Sequence, residues 1–341
     1  MRRLIQPLIL GLIAAGGSSA SAQPTVLHPL HVIQCAGDQD QRPTVVTGVA
    51  VTPDGKTVAV ATDNHLVSVY DAVSGALKAR LGSHGDWVHS ACVSPDATMF
   101  ATGAKDHTLC VWNIQSGQRL LQLPACDSAV SAVAFHPNSQ QVAVVGFSNT
   151  LQIVNTSSGQ ITQQLECSCA DPCTVAFSAD GVRMAAAGRS GRVRIWNVTN
   201  GTHERDVSTD NRRIRAIAFS PDGKWIAAAG NSPHIDIIDV ATGQPVMTLD
   251  VRPAKVFGLL FLDNRHLTAG GTDNLIRIWD LDSRLVTTEL VGHTGTVAAL
   301  ACDAAGATLA SGSYDTTLRI WNLAEPTAPV TASRGPVDAA R

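Results

Sequence analysis

Three cysteines fall within the stretch LECSCADPC, at Cys167, Cys169 and Cys173. Thiols that close together support metal ligation, thiol–disulfide exchange or a structural disulfide. Zinc sites favour pairs about two to four residues apart. Cys169 and Cys173 meet that spacing, but a second pair does not follow. Cys-x-x-Cys, the spacing of a redox centre, is absent. The eleven histidines are scattered. The sequence has no Cys-x-x-Cys-His, no His-Glu-x-x-His, no Gly-x-Ser-x-Gly and no lysine-bearing phosphate loop. No residue is therefore assigned to catalysis, to a cofactor or to a metal, and no cofactor is expected.

What a thiol does depends on where the chain folds. The sequence opens MRRLIQPLILGLIAAGGSSASAQ: two arginines, a short apolar run from Leu4 to Ala15, and Ala20-Ser21-Ala22 before Gln23. That is the pattern of a secretory signal peptide over 1–22, with an uncleaved anchor as the alternative. No later run approaches the ~20 apolar residues of a membrane helix. The expectation is an exported protein, periplasmic or extracellular, with no membrane span once the signal is removed. Loss of Arg2 and Arg3 moves the formal charge from −3 to −5, which argues against nucleic acid or anionic lipid as a partner. All eight cysteines lie beyond the leader, and an oxidising compartment permits disulfides among them.

The elements that must position these residues are legible as a repeat. The turn TPDG at 52–55 returns as SPDA, HPNS, SADG and SPDG, then decays to LDNR and DAAG. A second landmark follows each turn: Tyr70-Asp71, Trp112-Asn113, Val154-Asn155, Trp196-Asn197, Ile238-Asp239, Trp279-Asp280 and Trp321-Asn322, in steps of 42, 42, 42, 42, 41 and 42 residues. Within each copy VSAVAFHP-like and KWIAAAG-like runs read as buried strands. RVRIWNV alternates like a strand with one wetter face, and a more polar strand such as RLLQL comes next. Four strands per copy, seven times over, predict an all-β, seven-bladed β-propeller of antiparallel blades.

On these landmarks the chain resembles the WD40-repeat β-propeller proteins over roughly residues 27–323, as an exported member of a bacterial type. The resemblance implies a hydrogen-bonded structural tetrad of His, Ser/Thr, Asp and Trp in complete blades. His84, Thr102, Asp106 and Trp112 match it in the second blade, and His293, Ser311, Asp315 and Trp321 in the seventh. Asp273 and Trp279 of the sixth stand beside Ala269 with no matching histidine. Asp54, Asp96, Asp180 and Asp222 fit turns. The expected organisation is a signal over 1–22, an N-terminal segment over 23–44, the propeller over 45–323 and a proline-rich disordered tail over 324–341. PLHVIQC at 29–35 is expected to supply the outer strand of the seventh blade and close the ring, with APVTAS in the tail as the alternative.

Placed on the repeat, Cys126 takes the register of His84 in the third blade. Cys167 and Cys169 flank that register in the fourth, and Cys173 begins its first strand. All four are expected on loops of one face, as two disulfides, with a metal site or free thiols as alternatives. Cys92 and Cys302 match core registers; Cys35 and Cys110 are unassigned. The resemblance implies partner contacts on the same face, at residues preceding each first strand or each tetrad aspartate. Trp87, Lys105, Phe147, Arg189, Arg213, Lys255 and Tyr314 are the candidates. Arg189, Arg192, Arg194, Arg205, Arg212, Arg213 and Arg215 concentrate positive charge on the fourth and fifth blades. The function this supports is a monomeric scaffold that binds partner proteins without chemistry. The alternative is a propeller enzyme or metal- or redox-binding protein using the central channel or the cysteines. Innermost strands such as VSAVAF and IRAIAF, mostly small and apolar, argue against a channel site.

Overall fold

The computed structural model describes residues 23–35, 43–124, 127–148, 150–167, 169–251 and 254–324. The expected leader, the tail from 325 with APVTAS, and Cys126 lie outside them. Among the described residues the regular elements are 29 strands in seven sheets. The first blade is a meander of Val46–Val51, Thr57–Thr62, Leu66–Asp71 and Leu77–Ser83, hydrogen-bonded in chain order. The innermost strands pack side by side in sequence, and Val297–Cys302 packs back onto Val46–Val51, which closes the ring.

Each blade's second strand is buried on both faces, because a neighbouring sheet covers each side. The burial pattern after the first residue is unbroken in every copy, from Thr57–Thr62 to Thr308–Ser313. These strands are accordingly Ala-, Val- and Gly-rich. The sheets approach so closely that a Cβ on Gly103 would strike Val130 of the next blade, and one on Gly312 would strike Val46. This spacing explains a core with few aromatics. Apolar clusters bridge neighbouring blades, as where Ala59, Val67 and Val69 meet Val88, Phe100 and Trp112. Outer strands such as Arg119–Pro124 leave one face to solvent.

The hairpin turns explain the recurring aspartates. Ser94 Oγ donates to Asp96 Oδ1 at 2.6 Å, and the same carboxylate oxygen accepts from Thr98 N at 3.0 Å. Thr52 with Asp54, Ser178 with Asp180, and Ser220 with Asp222 repeat the hydroxyl bond. Hydroxyl and amide donors hold the Asp54 and Asp180 carboxyls below their ordinary range.

The N-terminal segment closes the ring as expected. His31–Gln34 pairs antiparallel with Thr317–Asn322, His31 opposite Ile320 and Gln34 opposite Thr317. A second strand was not foreseen. Thr25–Leu27 adds parallel to Leu285–Leu290 as a fifth strand of the sixth blade. One short segment thus ties the sixth blade to the seventh.

Candidate functional site

The two complete tetrads assemble. In the second blade His84 Nε2 lies 2.8 Å from Thr102 Oγ1, Trp112 Nε1 donates to the same oxygen at 2.9 Å, and His84 Nδ1 lies 3.1 Å from Asp106 Oδ2. In the seventh, His293 Nε2 lies 2.7 Å from Ser311 Oγ, Trp321 Nε1 donates to it at 2.8 Å, and His293 Nδ1 lies 2.8 Å from Asp315 Oδ2. A carboxylate only accepts, so each Nδ1 carries the proton and each Nε2 accepts from the hydroxyl. Burial opposes ionisation of Asp315, but hydrogen bonds from His293, Thr317 and Thr294 N outweigh it and hold the carboxyl below its ordinary range. Burial holds both imidazoles neutral, below their ordinary pKa. The hydroxyls of Thr102 and Ser311 are fully buried under the indoles that donate to them, so a substrate has no access to the pair and the arrangement reads as structural.

Its work is positional. Asp106 also accepts from Gly85 N at 2.6 Å, and Asp315 from Thr294 N at 2.9 Å, so each tetrad pins the loop that enters its blade. Sequence reading missed a further member: Thr108 and Thr317 donate to their aspartates at 2.7 and 2.6 Å. The Asp-x-Thr spacing shared by 106/108 and 315/317 was the available signal. In the sixth blade, which lacks the histidine, Asp273 pairs with Arg277 instead.

The rim residues are brought to one edge by a backbone bond that recurs around the ring. Lys105 N donates to Trp87 O at 2.8 Å, Phe147 N to Ala129 O at 3.3 Å, Asn231 N to Arg213 O at 3.0 Å, Thr272 N to Lys255 O at 3.0 Å and Tyr314 N to Thr296 O at 2.9 Å. At Gly230 this approach is so tight that a Cβ would collide with Arg213 O. Trp87, Phe147 and Tyr314 are 49%, 44% and 50% exposed. The Lys105 ammonium lies 5.3 Å from the Trp87 ring centroid. Arg189 and Lys255 are exposed, and Arg189 pairs with Asp171 at 3.1 Å. Arg213 is half-buried. Of the positive cluster, Arg192 opens the strand Arg192–Asn197, and Arg194 is taken up by Asp206 at 2.6 Å.

The cysteines depart from expectation. Cys167 and Cys169 lie, as expected, on the loop between Ile161–Glu166 and Pro172–Phe177, but they are buried and meet each other: their sulfurs touch, with Cα atoms 5.3 Å apart, in the apolar cluster that holds Met184, Ala186 and Trp196. By register Ala186 replaces Thr102, so the fourth blade fills the place of the tetrad histidine with sulfur. Cys173 does not pair. Its thiol donates to Ile214 O at 2.9 Å, as Ser131 donates to Pro172 O at 2.6 Å one blade earlier. It is a latch between first strands, and burial pushes its pKa up. Cys126 lies outside the described residues. Among the described residues no group of three or more His, Cys, Asp or Glu is placed to hold a metal ion. Cys110, unassigned from sequence, is buried beside His84.

The channel is more polar than its strands suggested. Thr47, His89, Ser131, Cys173, Arg215, Phe257 and Ala298 share one register, and all line a cavity of about 400 Å³ at its mouth. Arg213, Phe147 and Tyr314 of the rim line it too. Apolar residues of the same strands, such as Ala132 and Ala216, pack between blades and also border the cavity. Burial, and then the charge of Lys105, lowers the pKa of His89. Arg215 donates from Nε to Asn231 Oδ1 at 2.8 Å, with its guanidinium 4.4 Å from the Phe257 ring centroid.

The ring of seven meanders and its tetrads define a β-propeller of the WD40 class. Residues 45–273 match the family model described as the IFT122 first beta-propeller, and residues 284–322 match the WD domain, G-beta repeat. The chain belongs to this WD40-repeat family. It is 43% identical over 60 residues to the U3 snoRNP-associated protein-like EMB2271 of Arabidopsis thaliana, covering 18% of this chain and 12% of that protein. It is 36% identical over 62 residues to the small ribosomal subunit protein RACK1 of Neurospora crassa, covering 18% and 20%. It is 35% identical over 79 residues to the ribosome biogenesis protein WDR12 homolog of Nematostella vectensis, covering 22% and 19%. The matches thus span a fifth or less of these relatives' length.

Proposed function

We propose that the protein is an exported scaffold that holds a partner protein on the rim of a rigid ring and performs no chemistry on it. The observation that carries this reading is the set of exposed aromatics Trp87, Phe147 and Tyr314 on one edge, with Lys105 at Trp87. Trp and Tyr are among the residues most enriched at binding hot spots, and Phe is enriched with them in interface cores. The relatives' names point the same way, denoting a snoRNP-associated protein, a ribosomal subunit protein and an MST50-interacting protein. Export rests on the leader sequence, and it would keep Cys167 and Cys169 in a compartment where a disulfide between them persists. The protein acts as a monomer.

The test is affinity capture from an envelope or culture-fluid extract, using wild type and a Trp87→Ala, Tyr314→Ala variant of matched thermal stability. The expected result is a defined protein held by wild type and lost, or weakened at least ~30-fold, in the variant, on the scale of about 2 kcal/mol per hot spot. A partner held equally by both would move the contact off this rim.

A further inference from the structure

Five arginines of the ring pair with carboxylates: Arg183 with Glu204, Arg189 with Asp171, Arg194 with Asp206, Arg265 with Asp280 and Arg277 with Asp273. Arg213 and Arg215 have no carboxylate partner among the described residues. Both line the channel mouth, where no Asp or Glu among the described residues contributes to the wall. Arg213 buries its Nε without a hydrogen-bond partner among the described residues. Arg215 spends its Nε on a neutral amide and lays its guanidinium on Phe257. Two like charges, partly stripped of water and unpaired, are costly to maintain. An anion held by both would supply the missing counter-charge. Guanidinium forks match carboxylate geometry with two parallel hydrogen bonds. The rest of the mouth is aromatic: Phe257 and Tyr314 meet edge to face at 6.5 Å between centroids, and Phe147 lines the same cavity. Its volume of about 400 Å³ suits one or two residues or a small organic acid.

We infer that the channel mouth is a carboxylate-binding site, with Arg213 and Arg215 as counter-charges and Phe257, Phe147 and Tyr314 flanking the apolar stem that carries the carboxylate. The carboxylate belongs to a free organic acid or to a protein partner, as a chain terminus or an acidic side chain. In the latter case the site deepens the scaffold reading by naming the chemistry it recognises. The test below uses purified protein and small probes, so its outcome is independent of whether the rim captures a partner.

Calorimetric titration at low salt uses N-benzoylglycinate and its neutral amide. It also uses an acetylated Ala-Ala-Phe peptide with free and amidated terminus, an acetyl-Ala-Glu-Ala amide, and inorganic phosphate. Benzoylglycinate is expected to bind and its amide not. Arg213→Gln and Arg215→Gln should each weaken binding at least ~10-fold, the scale of a lost charge-assisted hydrogen bond. Arg215→Lys, which keeps the charge but not the fork, should fall between. The free-terminus peptide binding tightest assigns a chain terminus, the Glu peptide an acidic side chain, and benzoylglycinate alone a free acid. Protection of Cys173 in the wild-type protein from a neutral alkylating reagent, by benzoylglycinate and not by its amide, gives a readout that needs no arginine variant to fold. The inference is overturned if no carboxylate probe binds, if acid and amide bind alike, if phosphate binds as well as benzoylglycinate, or if folded glutamine variants bind unchanged.

Discussion

Ser311 receives the Trp321 indole and donates to His293, so its hydroxyl holds two buried partners at once. Ser311→Ala orphans both and should cost about 1–3 kcal/mol, read by urea unfolding. Trp87→Ala, on the exposed rim, should stay within about 0.5 kcal/mol of wild type. The tetrads also set a pH response. His84 and His293 have pKa values held below their ordinary 6.5, chiefly by burial. As pH falls past 6.5 the unfolded chain binds protons that the folded chain refuses, so stability is complete above that value and lost toward acid. The depressed carboxyls Asp106 and Asp315 add a further loss below 3.8. The melting temperature should therefore be flat between about pH 7 and 8 and decline below 6.5. A His84→Gln, His293→Gln variant should decline less steeply between pH 6.5 and 4, with His89 supplying the remaining slope. An identical slope in the variant would exclude the tetrads as the source.

At the scale of elements, the two N-terminal strands carry more than their length suggests. Leu27 and Cys35 are buried, and Ile33 packs on the cluster shared by the first and seventh blades. Removal of residues 23–35 leaves the Leu285–Leu290 and Thr317–Asn322 edges unpaired. The burial lost is worth about 3–6 kcal/mol, and the seventh blade should become the first region to exchange its amide hydrogens. A synthetic peptide of residues 23–35 added in trans should restore protection there. Protection of the truncated seventh blade equal to wild type would show that closure rests on packing between blades alone. His31–Gln34 was legible because it precedes a repeat that lacks its outer strand. Thr25–Leu27 was not, because three residues carry no period, and its parallel partner is some 260 residues away in the sequence.

At the scale of the whole molecule, the ring is one cooperative object: apolar clusters bridge neighbouring blades, and the closing strand joins the ends. The proposed export is tested at this scale. The protein recovered from the envelope or medium should begin at Gln23, and a non-reducing digest should recover Cys167 and Cys169 linked within one peptide while Cys173 remains alkylatable. Recovery from the cytosol with Met1 intact would remove the exported reading, and with it the reason for the disulfide.

The tetrads were read through the family resemblance. The repeat, the strand order within each copy and the ring-closing strand were readable from the residues themselves, because each depends on spacing along the chain and on the alternation of one strand's faces. The depth of the sulfurs and the site at the channel mouth were decided by tertiary structure. Cys167 and Cys169 flank the histidine register by one residue on either side, and only the packing of the fourth blade turns both sulfurs inward onto Trp196. The channel mouth collects Arg213 and Arg215, Phe257, Tyr314, Phe147 and Cys173 from different blades. A period of 42 residues says that equivalent positions are equivalent. It does not say which of them look across the axis at one another, because that follows from closing the ring, and closure brings together residues from all around the chain.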